Sequence, residues 1–340
     1  MRDDDRFDEF IAGLGGFHRT WLVYLGLELG LFERLEAAGT SGLSAADLAD
    51  QTATRREPVG VWAWAAEAHG LVDVADGRLV LDPAVAAVLL DDTRPEYLGG
   101  QFVHTVVAAM DWDGMADFFR TGAPRRARPD RYRAAIERLT VQDIAVFFQE
   151  VLAALPQLVA DLAGGGRVLD VHCGGGRWLI AMARRGAGLH GVGVEFEADS
   201  VARARANIAA AGLAARITIE HGDVAAPGHA GEFDLAYFQY ALHQLPDPAA
   251  SLRAAWAAVR PGGRVVVLDW PLPSTEEEQQ SRHGELIAGV QLDEVYTGMR
   301  LATREQFVAW FEAAGLPLPG VIELPSGASA FVAEQPNPTR

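Results

Sequence analysis

The residues with the clearest chemical purpose begin at Arg167-Val-Leu-Asp-Val-His-Cys-Gly-Gly-Gly176, which has the pattern of a strand, a sharp turn and the start of a helix. Glycine in such a turn lets a ligand approach the backbone closely, and a helix N-terminus favours negative charge. Further along, Gly191-Val-Gly-Val-Glu195 ends a second apolar run with an acid. In a Rossmann-type sheet an acid about 20 residues beyond the glycine turn hydrogen-bonds ribose hydroxyls. His221-Gly-Asp223 closes a third run with another acid. Phe233-Asp-Leu-Ala-Tyr-Phe238 is a fourth run, followed by Ala241-Leu-His-Gln-Leu-Pro-Asp247 and by Arg260-Pro-Gly-Gly263. A glycine-rich turn alone says little. The ordered acids behind it make a nucleoside-binding chemistry specific.

These residues need a scaffold that brings strand ends together. The runs Arg167–Val171, Leu189–Glu195, Arg216–Glu220, Phe233–Phe238 and Arg264–Asp269 alternate with helical stretches rich in Ala and Arg. That alternation predicts βαβ units and a parallel sheet. At the end, Val321–Leu324, a Pro-Ser-Gly turn and Ala328–Val332 predict an antiparallel hairpin. Upstream, residues 7–38 read as one helix, with Trp21, Leu22, Leu25, Leu29, Phe32 and Leu35 at helical spacing. Ser44-Ala-Ala-Asp47 reads as a helix cap, and a further helix follows Pro58. Val72–Val74 and Arg78–Leu81 flank a tight turn at Asp76-Gly77. Helix, turn, helix and hairpin make a winged-helix pattern. Residues 96–160 are mostly helical, broken at Thr121–Pro129, whose arginines read as a solvated loop.

Composition narrows the function classes. Among 340 residues, 49% are hydrophobic and 22% charged, as in a globular chain. The formal net charge of -17 opposes nonspecific nucleic-acid binding and a polybasic membrane anchor. Every basic residue is Arg, which excludes a Lys Schiff base and a P-loop Lys. The single cysteine, Cys173, excludes an internal disulfide and any Cys-rich metal site. Met1–Phe10 is acidic without a signal-peptide core, and no window approaches 18 uninterrupted apolar residues. A soluble, cytoplasmic protein with no nucleic-acid or membrane partner is expected.

The order and spacing of these motifs resemble class I S-adenosylmethionine-dependent methyltransferases, over residues 160–335. With the winged-helix pattern in front, the chain is more narrowly similar to the small-molecule O-methyltransferases of plant phenolic and bacterial polyketide pathways. The resemblance implies an α/β fold: a Rossmann-like seven-stranded sheet, mostly parallel with an antiparallel C-terminal hairpin, behind a mostly helical N-terminal domain. It implies a winged-helix dimerisation domain over 1–95, substrate-pocket helices over 96–160 and a catalytic domain over 161–340. It also implies a homodimer acting on a small-molecule acceptor, with S-adenosyl-L-methionine as cofactor.

Carried over by position, Asp170, Gly174 and Gly176 surround the methionine part of the cofactor. Glu195 takes the ribose hydroxyls, Asp223 faces the adenine amino group and Val224 lies beside the ring. Tyr237 and Phe238 line the floor near the methyl group. His172 departs from the family, which has glycine there. It is either a specialised contact to the cofactor or a tolerated substitution turned away. His243 matches the family's general base, and imidazole suits removal of a hydroxyl proton near neutral pH. Asp269 matches an acid that flanks this His. The family's second flanking acid has no clear match: Met299-Arg-Leu301 stands there, and Glu294 lies a little earlier. Trp112, Trp270, Glu294, Tyr296 and Met299 fall where such enzymes build an acceptor pocket, and no metal is implied.

Two other readings stay close. Related chains methylate carbon beside a keto group, in some cases with a metal at the position of His243, for which Glu294 is the partner available here, and a few use the cofactor without methyl transfer. A transcription regulator built on the winged helix would need a basic recognition helix. The candidate, Glu57–Gly70, carries Trp62, Trp64, Glu67 and His69 and no Arg, which favours an apolar packing face.

Overall fold

The computed structural model describes residues 3–125, 128–226 and 228–337. The chain forms two compact units, one of Met1–Gly114 with Arg128–Gln142, the other of Met115–Ala127 with Asp143–Arg340. In the N-terminal unit, the expected single helix over 7–38 is two helices, Asp3–Glu28 and Leu31–Ala38. Gly30 between them has φ 68°, a left-handed conformation that ends one hydrogen-bond ladder before the next begins. Ser44 caps the helix Ala45–Gln51 by accepting from the Asp47 amide. The helix Arg56–Ala68 and the antiparallel pair β1 (Asp73–Ala75) and β2 (Arg78–Val80) follow.

The core of this unit takes Val23, Leu31, Phe32, Leu35, Val59 and Trp62. Phe32 and Trp62 meet edge to face at 5.5 Å, and the Trp62 indole N–H donates to the Leu22 carbonyl. One loop expectation changes here. Asp111 is buried and pairs with Arg128, itself only 5% exposed, and with Arg131. Arg128 is therefore a buried ion-pair partner and not a solvated loop arginine.

The C-terminal unit is built on seven strands: β3 (Gly166–Val171), β4 (Leu189–Glu195), β5 (Ile217–His221), β6 (Phe233–Gln239), β7 (Val259–Asp269), β8 (Gly320–Glu323) and β9 (Ser329–Glu334). Their order is β5-β4-β3-β6-β7-β9-β8. The first five are mutually parallel, and β9 pairs antiparallel with both β7 and β8. Alternating side chains feed two cores. Val168, Leu235 and Tyr237 pack with Trp178 and Phe147 in one. Leu169, Val171 and Phe238 pack with Phe307 and Phe331 in the other. Burial on both faces explains why the strands read as nearly continuous apolar runs. Strand order reverses between β3 and β6, and the crevice beyond their carboxyl ends is where open α/β sheets bind ligands.

Candidate active site

The turn after β3 is held from two sides. The His172 and Cys173 amides both donate to the Val194 carbonyl, and Asn207 Nδ2 donates to the Gly175 carbonyl. Gly174 has φ 51° and nothing within 4 Å of where a Cβ would stand, so the backbone there faces open space. Gly176, at φ 70°, opens the helix Arg177–Arg185. Glu195, at the end of β4, is fully buried and accepts the Gly174 amide at 3.0 Å and the Glu197 amide at 3.0 Å. Its third partner is His172 Nδ1, 3.1 Å from Oε1. Burial works to raise the Glu195 pKa, but these three donors hold it below the ordinary carboxylate value. His172 is therefore turned towards the acid and not away from it. Asp223 lies two residues past β5, exposed, with its carboxylate accepting the Ala225 amide. Val224 is buried beside Val192 and Val194.

A second His–carboxylate pair lies at the ends of β6 and β7. His243, in the short turn Leu242–Gln244, and Asp269 are joined Nδ1 to Oδ2 at 2.8 Å, and both side chains are buried. His243 Nε2 has no hydrogen-bond partner among the described residues. A proton on Nδ1 donates to Asp269, which leaves Nε2 as the basic nitrogen. Burial lowers the His243 pKa, but the Asp269 charge and hydrogen bond, with the Glu294 charge, raise it above the ordinary imidazole value overall. Glu294 thus acts electrostatically on the same imidazole, although its sequence position does not match the family's second acid. Tyr240 packs its ring edge on His243 at 4.8 Å from φ 48°. Four described non-glycine residues have positive φ, and two of them, His172 and Tyr240, stand at these two strand ends.

Between the two pairs lies a set of acids that sequence reading did not assemble. Asp143, on the helix Asp130–Val146, accepts the Trp270 indole N–H at 2.9 Å. Its pKa is pushed up to about 7, first by burial and then by the Asp269 charge, despite that bond. The Asp170 pKa is pushed up to about 8 by burial and the Glu195 charge. The Tyr237 hydroxyl has no hydrogen-bond partner among the described residues, and its burial, then the charges of Asp143, Asp170 and Asp269, raises its pKa. Asp143 had one usable signal: it interrupts the apolar run Ile144-Ala-Val-Phe-Phe148 at its start.

The acceptor-side expectations divide. Trp270, Glu294 and Tyr296 belong to the C-terminal unit, with Tyr296 buried against Phe118 and Trp270 stacked on His283. Met299 is 42% exposed, and Trp112 lies in the N-terminal unit. Tyr237 and Phe238 are both fully buried and lie on opposite sheet faces, because adjacent strand residues point to opposite faces.

A family model described as a methyltransferase domain matches residues 144–318. The chain is 31% identical over 261 residues to the 3-hydroxy-5-methyl-1-naphthoate 3-O-methyltransferase of Streptomyces sahachiroi, covering 74% of this chain and 74% of that relative. The chain belongs to the class I S-adenosylmethionine-dependent methyltransferases. The methyltransferase is also 30% identical over 332 residues to the aclacinomycin 10-hydroxylase RdmB of Streptomyces purpurascens, covering 93% of this chain and 86% of that one. A solved structure of PigF with SAH shares the fold at TM-score 0.74 and 20% identity, over 98% of this chain and 100% of that one.

The cofactor of this methyltransferase is S-adenosyl-L-methionine, and the residues present suit it. Asp143 and Asp170 are buried acids that pair with no cationic side chain among the described residues. An uncompensated buried carboxylate is costly unless a cation joins it. The cofactor carries two positive groups, a sulfonium and an ammonium. The open backbone at Gly174 allows the close approach that the methionine end of such a cofactor requires, and a buried carboxylate such as Glu195 is the kind of acceptor that ribose hydroxyls require.

Proposed function

We propose that this methyltransferase methylates a hydroxyl oxygen of a phenolic, enolic or polyketide-like small molecule, with His243 as general base. The observation that carries the proposal is the buried His243–Asp269 pair at the sheet's carboxyl rim, with Nε2 left without a partner among the described residues. S-adenosyl-L-methionine supplies an electrophilic methyl group that needs no further activation. The remaining demands are a deprotonated acceptor oxygen and in-line placement. His243 Nε2 takes the hydroxyl proton, Asp269 holds the ring and stabilises the imidazolium, and the Glu294 charge supports the same state. Asp143 and Asp170 hold the positive end of the cofactor, with the Tyr237 hydroxyl between them, and Glu195 holds the ribose. Trp270, Glu294, Tyr296 and Met299 line the acceptor side.

The S. sahachiroi relative supports oxygen as the accepting atom by its name. The test is to incubate the protein with methyl-labelled cofactor and an extract of the producing cells. Label on an ether or ester oxygen supports the proposal. Label on carbon, or an acceptor that gains oxygen and no label, replaces it. The second outcome would align the chain with the hydroxylase relative.

The proposal includes a two-fold homodimer built on the N-terminal unit. Phe7, Phe10, Leu14 and Phe17 follow one another at helical spacing along one helix and are all exposed, as is Trp64. Exposed apolar patches of this kind mark interaction surfaces. A monomeric mass by light scattering at micromolar concentration would remove the dimer.

A further inference from the structure

His172 stands where the family's loop has glycine, and it reaches the acid that ends β4. Its backbone is left-handed at φ 64°, a conformation that side chains other than glycine rarely adopt. Two contacts hold the side chain there. Nδ1 lies 3.0 Å from Glu195 Oε2 and 3.1 Å from Oε1, and the ring stacks on Phe196 at 4.8 Å, 8° from parallel. Glu195 is already the acceptor for the Gly174 and Glu197 amides.

A carboxylate offers about four lone-pair sites. The two amides and the imidazole fill three of them. A ribose brings two hydroxyl donors to the same acid, so the five donors exceed its capacity. Two of the three protein donors are backbone amides fixed by the turn after β3 and by the chain leaving β4. The imidazole is the one donor that can leave by rotating its side chain.

We infer that His172 competes with the ribose hydroxyls for Glu195, so that this chain holds its nucleoside cofactor more weakly than the same loop with glycine would. The inference rests on Glu195 being the ribose acceptor. His172 is on this account an affinity-setting residue: it keeps the buried acid satisfied when no nucleoside is bound and must yield when one enters. The same competition loosens the hold on the demethylated product, S-adenosylhomocysteine, whose ribose is identical.

Isothermal titration calorimetry on wild type and His172→Gly tests this with three probes: S-adenosylhomocysteine, adenosine and 2′,3′-dideoxyadenosine. Glycine suits the left-handed backbone, so the loop should keep its shape. His172→Asn, which also tolerates that conformation but has a shorter reach, is the second variant and should shift in the same direction. The variants should bind S-adenosylhomocysteine and adenosine about tenfold more tightly, the scale of one hydrogen bond to a charged group. Binding of 2′,3′-dideoxyadenosine should change less than about twofold, because it has no diol to compete. Unchanged or weaker binding of S-adenosylhomocysteine by both variants overturns the inference. Equal tightening on all three probes also overturns it, since that assigns the effect to the bulk of the imidazole. Tightening on the two diol probes that Glu195→Ala leaves in place overturns the assignment of Glu195 itself. If neither wild type nor either variant binds any probe, the cofactor reading of this loop fails, and the inference with it.

Discussion

Two of the molecule's His–carboxylate contacts, both at strand ends, have opposite logic. At the end of β4, His172 meets Glu195, and the carboxylate is the crowded member: it accepts from the imidazole and from two amides. At the ends of β6 and β7, His243 meets Asp269, and the imidazole is the member with capacity to spare, its Nε2 having no partner among the described residues. His172 keeps 17% of its side chain exposed and rests on Phe196, whereas the His243 side chain is fully buried beneath Tyr240. A His–carboxylate contact therefore has no fixed meaning. Its role follows from which partner retains an open valence and from what that valence faces.

The sharpest way to break this contrast is to remove the base. His243→Ala should lower kcat by roughly 10²–10⁴-fold, the range for losing a positioned proton acceptor, and leave S-adenosylhomocysteine affinity nearly intact. Steady-state kinetics with calorimetry checks both halves. Near-wild-type turnover would mean that proximity alone suffices. Activity abolished by chelator and restored by metal would make His243 a ligand instead of a base. At the other pair, Glu195→Ala should act on binding alone, weakening cofactor affinity by roughly 1.5–3 kcal/mol. An unchanged dissociation constant would take Glu195 out of the ribose site.

Asp269→Asn sharpens the comparison through pH. Burial lowers the His243 pKa, and the Asp269 and Glu294 charges more than reverse this. A base must be neutral to work, so kcat/KM should rise with pH through an ionisation above the ordinary 6.5. Asp269→Asn removes the charge with the larger effect on the imidazole, so that ionisation should move down, with about a tenfold loss in turnover. A profile that keeps its midpoint would show that Asp269 does not control the ring.

The smallest expected effect concerns the acid between the pairs. Asp143 has a folded-state pKa of about 7 against an ordinary 3.8, so the folded protein prefers it protonated. Stability contributed by that proton is fully present below the ordinary value and is lost as pH rises through about 7. Asp143→Asn should therefore match wild type in acid and exceed it above neutrality, by on the order of 1 kcal/mol, while cofactor binding weakens. Thermal melts across that pH range check it. A variant less stable than wild type at alkaline pH would mean that the Trp270 hydrogen bond outweighs the buried charge.

Much of this protein was already determined by its sequence. The strand runs, the turn at Gly174–Gly176, Glu195 at the end of its strand and the C-terminal hairpin all depend on local pattern: apolar period, glycine backbone freedom and short spacing. The pairing of His243 with Asp269 was implied by the family resemblance, in which an acid flanks this His. Tertiary structure alone decided the rest, for physical reasons that spacing cannot carry. Asp143 joins the site from a helix far upstream in sequence, because burial and charge act through space. Strand alternation sends Tyr237 and Phe238, adjacent in sequence, to opposite cores. Gly30 split a helix whose apolar spacing ran straight through it, because a left-handed residue ends a ladder without disturbing side-chain periodicity. The direction taken by the His172 ring was open between two answers in the sequence. It was settled by a fully buried carboxylate and an aromatic face that only the folded chain brings within reach.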